Sequence, residues 1–198
     1  MPRKRLSELF SELSEVDKKL SAELFQRRNN FQYIVKERVV RFKADIKETH
    51  KRLKTNLITY IFSGSILFLI TAPIIYAMII PTLLLDLFVE VYHNICFPIY
   101  GIKKVKRKEY IVIDRHKLSY LNIIEKVHCV YCGYFNGLIA YVGEIASRTE
   151  QYWCPIRHAI KHKGNHERFK NFIDYGDAET YKRMLDQKRN ALAEEDLK

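Results

Sequence analysis

The chain has 198 residues, a formal net charge of +11, 47% hydrophobic residues and four cysteines. A basic chain of this size suggests nucleic acid, but the surplus flanks a long apolar run, with 15 basic against 8 acidic residues in 1–55 and 7 against 2 in 101–118. Anionic lipid headgroups would meet such flanks, so membrane lipid displaces nucleic acid as the expected partner, and four cysteines, two of them in one C-x-x-C, do not make a secreted disulfide scaffold.

From the start of the chain, Leu6, Leu9, Phe10, Leu13, Val16, Leu20 and Leu24 recur at helical spacing with acidic residues between them. This predicts an amphipathic helix and no signal peptide. Arg27-Arg28-Asn29-Asn30 weakens the pattern, and Phe31, Val35, Val39, Phe42, Ile46 and Leu53 resume it at three-, four- and seven-residue steps. A second helix, or one long helix with a break, is expected there, its apolar face packing on partner helices or lipid.

From Leu57 to Tyr100 there is no Lys or Arg. A bilayer crossing takes about 20 helical residues, so this run has room for two. Thr71-Ala72-Pro73 and Ile80-Pro81-Thr82 are the breaks, because proline lacks the amide donor and disfavours helix in the residue before it. A single crossing would put Lys51-Arg52-Lys54 and Lys103-Lys104-Lys106-Arg107-Lys108 on opposite sides of the bilayer. A hairpin keeps both clusters in the cytoplasm and is the expectation; the short, uncharged outside turn leaves a re-entrant hairpin as the alternative.

Beyond the run, Glu109-Tyr-Ile-Val-Ile-Asp114 reads as an isolated strand or an extended connector. Leu118, Leu121, Ile124 and Val127 mark a helical face leading to Cys129-Val-Tyr-Cys132, with Gly133 and Gly137 interrupting it before an apolar helix from Leu138 to Ile145. Pro155 suits the first position of a further helix. The tail from Asp177 to Lys198 is polar, helix-favouring and expected to be exposed.

The chemistry-bearing residues are chiefly cysteines. Structural zinc takes four tetrahedral ligands, and a C-x-x-C supplies two from one turn. Cys154 and His158 would face one ion if they began a helix. Cys129, Cys132, Cys154 and His158 are therefore the candidate zinc ligands, with iron as the competing metal and Cys96 as an alternative to His158. Buried unreactive cysteines, or a Cys129/Cys132 thiol redox pair with a low-pKa Cys154, are the other readings; Gly133 after Cys132 speaks against c-type haem attachment. A rival constellation is Glu90-Val-Tyr-His93 with Glu125-Lys-Val-His128, the Glu-x-x-His spacing of di-iron bundles, with Glu144 and Glu150 available. Asp86, Glu90 and His93 share one face of the apolar helix; ionisable groups at membrane depth are functional candidates, but the expectation is that these lie at its cytoplasmic end, wetted and paired with Arg or Lys from the flanks. Lys161-His162-Lys163 and His166 read as a solvated or lipid-facing basic patch.

The stretches Asp114-Arg115-His116, Tyr131-Cys-Gly-Tyr-Phe-Asn-Gly-Leu-Ile-Ala-Tyr-Val142 and Glu150-Gln-Tyr-Trp-Cys-Pro-Ile-Arg-His158 resemble a family of uncharacterised bacterial inner-membrane proteins. The likeness covers roughly Pro73 to His158. It implies a bacterial inner-membrane location and a membrane-proximal cysteine module, and no activity or ligand.

The resulting expectation is an all-α membrane protein. Residues 1–55 form an amphipathic basic helical region, 56–100 a transmembrane hairpin, 101–176 a small cytoplasmic helical metal-binding domain, and 177–198 a polar helical tail, with both termini cytoplasmic. Its expected role is that of an accessory or structural protein whose zinc-stabilised module binds lipid, a protein partner or, through the N-terminal helices, a second copy of the chain. The alternative is a membrane-bound oxidoreductase using iron, as a di-iron centre or haem, or the Cys129/Cys132 thiols.

Overall fold

The computed structural model describes residues 2–30, 33–36, 39–42, 44–63, 66–160 and 163–194. The architecture is all-α apart from one short hairpin, and the chain divides into two compact units, residues 1–63 with 114–127 and residues 64–113 with 128–198.

In the first unit, α1 (Pro2–Asn30) is the expected amphipathic helix and runs through Arg27-Arg28 to Asn30. Its apolar residues Leu13, Val16, Leu20 and Phe25 are exposed. The helix expected over 31–53 is corrected: β1 (Tyr33–Lys36) and β2 (Val39–Phe42) pair antiparallel with Val35 opposite Val40, and among the described residues of this range only α2 (Ala44–Arg52) is helical. The strand residues are mostly β-branched or aromatic, and these suit a pleated pair better than a helix; Phe31 lies outside the described residues. His50 packs edge-on against Phe42 and Tyr120. α3 (Leu57–Ser63) is capped by Asn56, whose Oδ1 accepts the Ile58 N–H at 3.2 Å.

The second unit begins with α4 (Ile66–Ala77) and α5 (Ile79–Ile99). The two do not form the expected hairpin. Met78 between them is helical, with φ −62° and ψ −12°, and Ile70–Ile99 is one helix of 30 residues, long and apolar enough to cross a membrane. Pro73 and Pro81 each remove one helical hydrogen bond without reversing the chain. Next comes α6 (Arg107–Tyr110), a single turn, after which the chain is extended from Ile111. Glu109 to Asp114 is thus a connector and not a strand.

α7 (Ile123–Trp153) runs on from residue 127 of the first unit into the second. A capping box starts it: the Glu125 N–H donates to Asn122 Oδ1 at 3.0 Å, and the Asn122 N–H to Glu125 Oε2 at 2.7 Å. Gly133 and Gly137 do not interrupt this helix as expected; both are buried within it. A Cβ on Gly137 would lie 2.8 Å from the Ile111 Cα and 3.0 Å from the Tyr110 carbonyl oxygen. The glycine lets the connector press on the helix. Pro155 starts no helix either. Ile156 forms an isolated parallel bridge with Ile173, the Arg157 N–H donating to the Ile173 carbonyl and the Ile173 N–H to the Pro155 carbonyl, each at 2.7 Å.

The core of this unit gathers Phe97, Ile102, Val105, Leu138, Tyr141, Ile145 and Leu192. Leu192 comes from α8 (Ala178–Glu194), so the tail is helical as expected but docked, not freely exposed. Gln151 donates to the Lys188 carbonyl and Arg189 to the Tyr152 carbonyl, both at 3.0 Å.

Two substitutions in one helix test this account. Gly137→Ala should cost about 1–3 kcal/mol by overpacking against Ile111. Gly143→Ala, whose added Cβ meets nothing within 4 Å, should be neutral or stabilising by up to about 1 kcal/mol. Thermal melts in detergent followed by circular dichroism separate the two, and equal melting temperatures would mean that the connector does not press on α7.

Candidate functional site

The polar face of α5 is its most organised feature. Asp86, Glu90 and His93 lie on one face as expected, and α7 meets them through long aromatic side chains. The two helices run parallel: Tyr131 donates to the Ile75 carbonyl at 2.7 Å, Tyr134 to Asp86 at 2.6 Å, and Tyr141 bonds His93 at 3.1 Å, with Tyr92 and Thr149 at 2.9 Å further on.

Arg107 enters this face from the segment that follows α5. Its guanidinium is bidentate on Asp86, with Nη2 at 2.6 Å from Oδ2 and Nη1 on Oδ1, and Nη1 also reaches Glu90 at 2.9 Å. It stands over the Tyr141 ring at 5.6 Å. Glu90 Oε2 accepts from Asn94 at 3.0 Å, and Lys104 donates to Asn94 Oδ1 at 2.8 Å. The Asp86 hydrogen bond holds Arg107 further protonated than usual. Burial, then the bond to Asp86, pushes the Tyr134 phenol up.

His93 is 3% exposed, and both ring nitrogens are used. The Val105 N–H donates to Nε2 at 2.9 Å, so Nε2 carries no proton and the ring is neutral. The proton is on Nδ1, which donates to the Tyr141 oxygen. Burial, followed by the Glu90 charge, pushes the Tyr141 phenol up to about 12. The cluster is a closed set of hydrogen bonds and ion pairs. It holds the 102–110 segment on α5 and α7.

A second cluster lies along α7. Glu144 accepts from Arg148 at 2.8 Å and Arg168 at 2.6 Å, and Arg148 also donates to the Lys103 carbonyl at 2.8 Å. Burial alone would raise the Glu144 carboxyl, but the Arg168 and Arg148 hydrogen bonds outweigh it and hold it below its ordinary value. Glu150 pairs with His166 at 2.9 Å beside a cleft of about 540 Å³ that Tyr110, Gly143 and Glu167 also line. Of the expected solvated or lipid-facing basic patch, His166 is held in an acid pair and Lys163 is exposed; Lys161 and His162 lie outside the described residues.

The candidate metal ligands are not brought together. Cys129 and Cys132 are one turn apart on α7, and the Cys154 N–H still donates to the Glu150 carbonyl at its end. At 1.5 Å per residue the unbroken helix puts Cys132 and Cys154 about 33 Å apart. His158 stacks on Phe169, beyond the bridged Ile156, so it does not share a helical turn with Cys154. Cys96 bonds Tyr100. Among the described residues no group of three or more His, Cys, Asp or Glu is placed to hold a metal ion. The di-iron constellation disperses likewise: Glu90 is bound to Arg107, Glu125 to the Asn122 cap, Glu144 to two arginines and Glu150 to His166.

The expected pairing of this face with a cation of the flanks is met by Arg107, which the sequence did not single out, while Tyr134 and Tyr141 were overlooked. Arg107 hid among lysines. Its one signal is alternation, since Ile102, Val105 and Arg107 turn inward while Lys104, Lys106 and Lys108 stay exposed.

Replacing Arg107 by Met should leave two carboxylates unpaired and cost about 2 kcal/mol, whereas Lys108→Met should stay within about 0.5 kcal/mol. Adding Asp86→Asn and Glu90→Gln to Arg107→Met should recover part of the loss. Equal melts for the two single variants would remove the clasp. The lowered Glu144 carboxyl gives a pH signature: its stabilisation is complete above the ordinary carboxylate value and is lost as pH falls from there through the lower value it has in the folded chain. Glu144→Gln should therefore melt lower at neutral pH and lose less than wild type between pH 6 and pH 3, roughly the carboxylate window.

In comparison with known proteins, no family model matches this chain, and neither a curated protein nor a solved structure does.

Proposed function

We propose that this is an integral membrane protein with an accessory, non-enzymatic role, held in the bilayer by α4 and the first part of α5 and bound to anionic lipid by the segment that follows. One observation carries the reading. The helix Ile70–Ile99 is inside out for a soluble protein: only 6% of its most apolar stretch is buried, while its buried residues include Thr82 and His93. Leu67, Ile70, Ile74, Ile75, Ile80 and Leu83 are exposed around the helix. Water would penalise that surface by about 25 cal/mol per Å², and lipid would not.

Residues 66–85 carry no charge and at 1.5 Å per residue reach about 30 Å, the thickness of a bilayer core. α7 follows alongside with no Asp, Glu, Lys or Arg from His128 to Gly143. The row Lys104, Lys106 and Lys108 is exposed just past the end of α5. Such lysines add about 1 kcal/mol each towards anionic lipid. The exposed Leu13, Val16 and Leu20 of α1 offer a seam at three- and four-residue spacing for a partner helix or a second copy. A thiol-redox role for Cys129 and Cys132 is the second reading, favoured by their placement one turn apart on α7 with Cys132 exposed.

Alkaline carbonate washing of membranes should leave the protein in the pellet, and its release would end the integral reading. Detergent-solubilised protein should melt several degrees higher with phosphatidylglycerol than with phosphatidylcholine. Lys104→Gln, Lys106→Gln and Lys108→Gln together should abolish that difference, and a difference that survives them would move the lipid site elsewhere.

A further inference from the structure

The apolar face of α1 repeats with the period of a coiled-coil seam. Within Pro2–Asn30, Leu6, Leu9, Leu13, Val16 and Leu20 alternate three- and four-residue steps, the a and d positions of a heptad. Leu13, Val16 and Leu20 are 54–65% exposed, and a contiguous apolar stripe of this kind marks a contact surface. Charge decides the occupant. Residues 7–23 carry five acidic and two basic residues, whereas a helix lying on anionic headgroups has Lys and Arg on its polar face. The lipid that suits Lys104, Lys106 and Lys108 therefore does not suit α1.

We propose that the seam is covered by α1 of a second copy of the chain, packed antiparallel, with Leu13 level with Val16 of the second copy and Leu9 level with its Leu20. This rests on the reading of α1 as a partner seam and is independent of the bilayer. In that register the positions flanking the seam bring Glu12 beside Lys19 of the second copy, and two-fold symmetry forms the pair twice. Lys19 is exposed, and its ammonium, 3.0 Å from Glu15 on its own helix, keeps donors for a second carboxylate. The competing arrangements repel. The other antiparallel register with four apolar layers, Leu6 level with Val16 and Leu9 with Leu13, brings Glu12 against Glu12. A parallel pair brings Glu12 against Asp17 on both sides. Like charges at these flanking positions disfavour both, so the charge pattern selects one orientation and one register.

Charge reversal tests partner and register together, with the mass of full-length protein in detergent read by sedimentation. Wild type should be a dimer. Glu12→Lys and Lys19→Glu should each raise its dissociation constant about tenfold, because two attractive pairs become repulsive, whereas Lys18→Glu, off the seam, should leave it unchanged. Mixing the two reversed variants, or combining both substitutions in one chain, should restore the dimer, a recovery that misfolding cannot produce. Weakening without that recovery would overturn the pairing. A Glu12→Lys dimer as tight as wild type would overturn the register, and a tighter one would show a parallel pair. A monomeric wild type would overturn the second copy as occupant. The protein has a single tryptophan, Trp153, so Leu13→Trp in a Trp153→Phe background then reports on the seam in reconstituted vesicles. Quenching by brominated phospholipid would give the face to lipid, and quenching by aqueous iodide would remove the partner-seam reading as well.

Discussion

A charge cannot be placed against an apolar helix without a partner, and the second unit is organised around meeting that condition. Asp86 and Glu90 interrupt the apolar helix with two negative charges a turn apart. Two carboxylates so close repel each other and lose hydration wherever the surroundings are dry. Arg107 answers both with one planar guanidinium, a geometry a lysine could not reproduce, and Tyr134 completes the shell of Asp86. The arginine is fixed only if the segment carrying it doubles back along α5. The Val105 amide bound to His93 and the burial of Ile102 and Val105 secure that path. Alternation along the path then leaves Lys104, Lys106 and Lys108 outward.

The same path accounts for the way α5 and α7 meet. Tyrosines 131, 134 and 141 each end on a polar acceptor or partner of the apolar helix. An aromatic side chain is long enough to bridge two helices and carries one hydroxyl for a buried group. Between them Gly137 opens a place where the backbone at Tyr110 and Ile111 reaches the helix. Large and small residues thus alternate on α7 because one neighbour is a helix at side-chain distance and the other is a chain at backbone distance. On this frame α8 contributes Leu192 to the core, while the Glu144, Arg148 and Arg168 cluster ties in Lys103.

Much of the protein was legible in the residues themselves. The apolar run, its basic flanks, the amphipathic α1 and the helical α8 follow from composition and period, because a buried or lipid-facing surface must repeat at the pitch of the element that carries it. The polar face formed by Asp86, Glu90 and His93 was visible for the same reason. Cys129 and Cys132 stand one helical turn apart inside α7, not in the ligand-bearing tight turn that their spacing suggested.

Tertiary structure alone decided the rest. Whether Pro73 and Pro81 reverse the chain or merely omit two hydrogen bonds depends on what packs beside them, and here a straight path lets α7 run alongside. Whether Gly133 and Gly137 break a helix depends on whether something fills the space they leave, and Ile111 does so at Gly137. Joining Cys132 to Cys154 would have needed a turn between them, and the uninterrupted helix instead sets them about 33 Å apart. The function of Arg107 was undecidable from its basic neighbours, because its partners lie 17 and 21 residues back along the chain. Periodicity records which face a residue occupies; only the folded chain records which opposite charge it meets there.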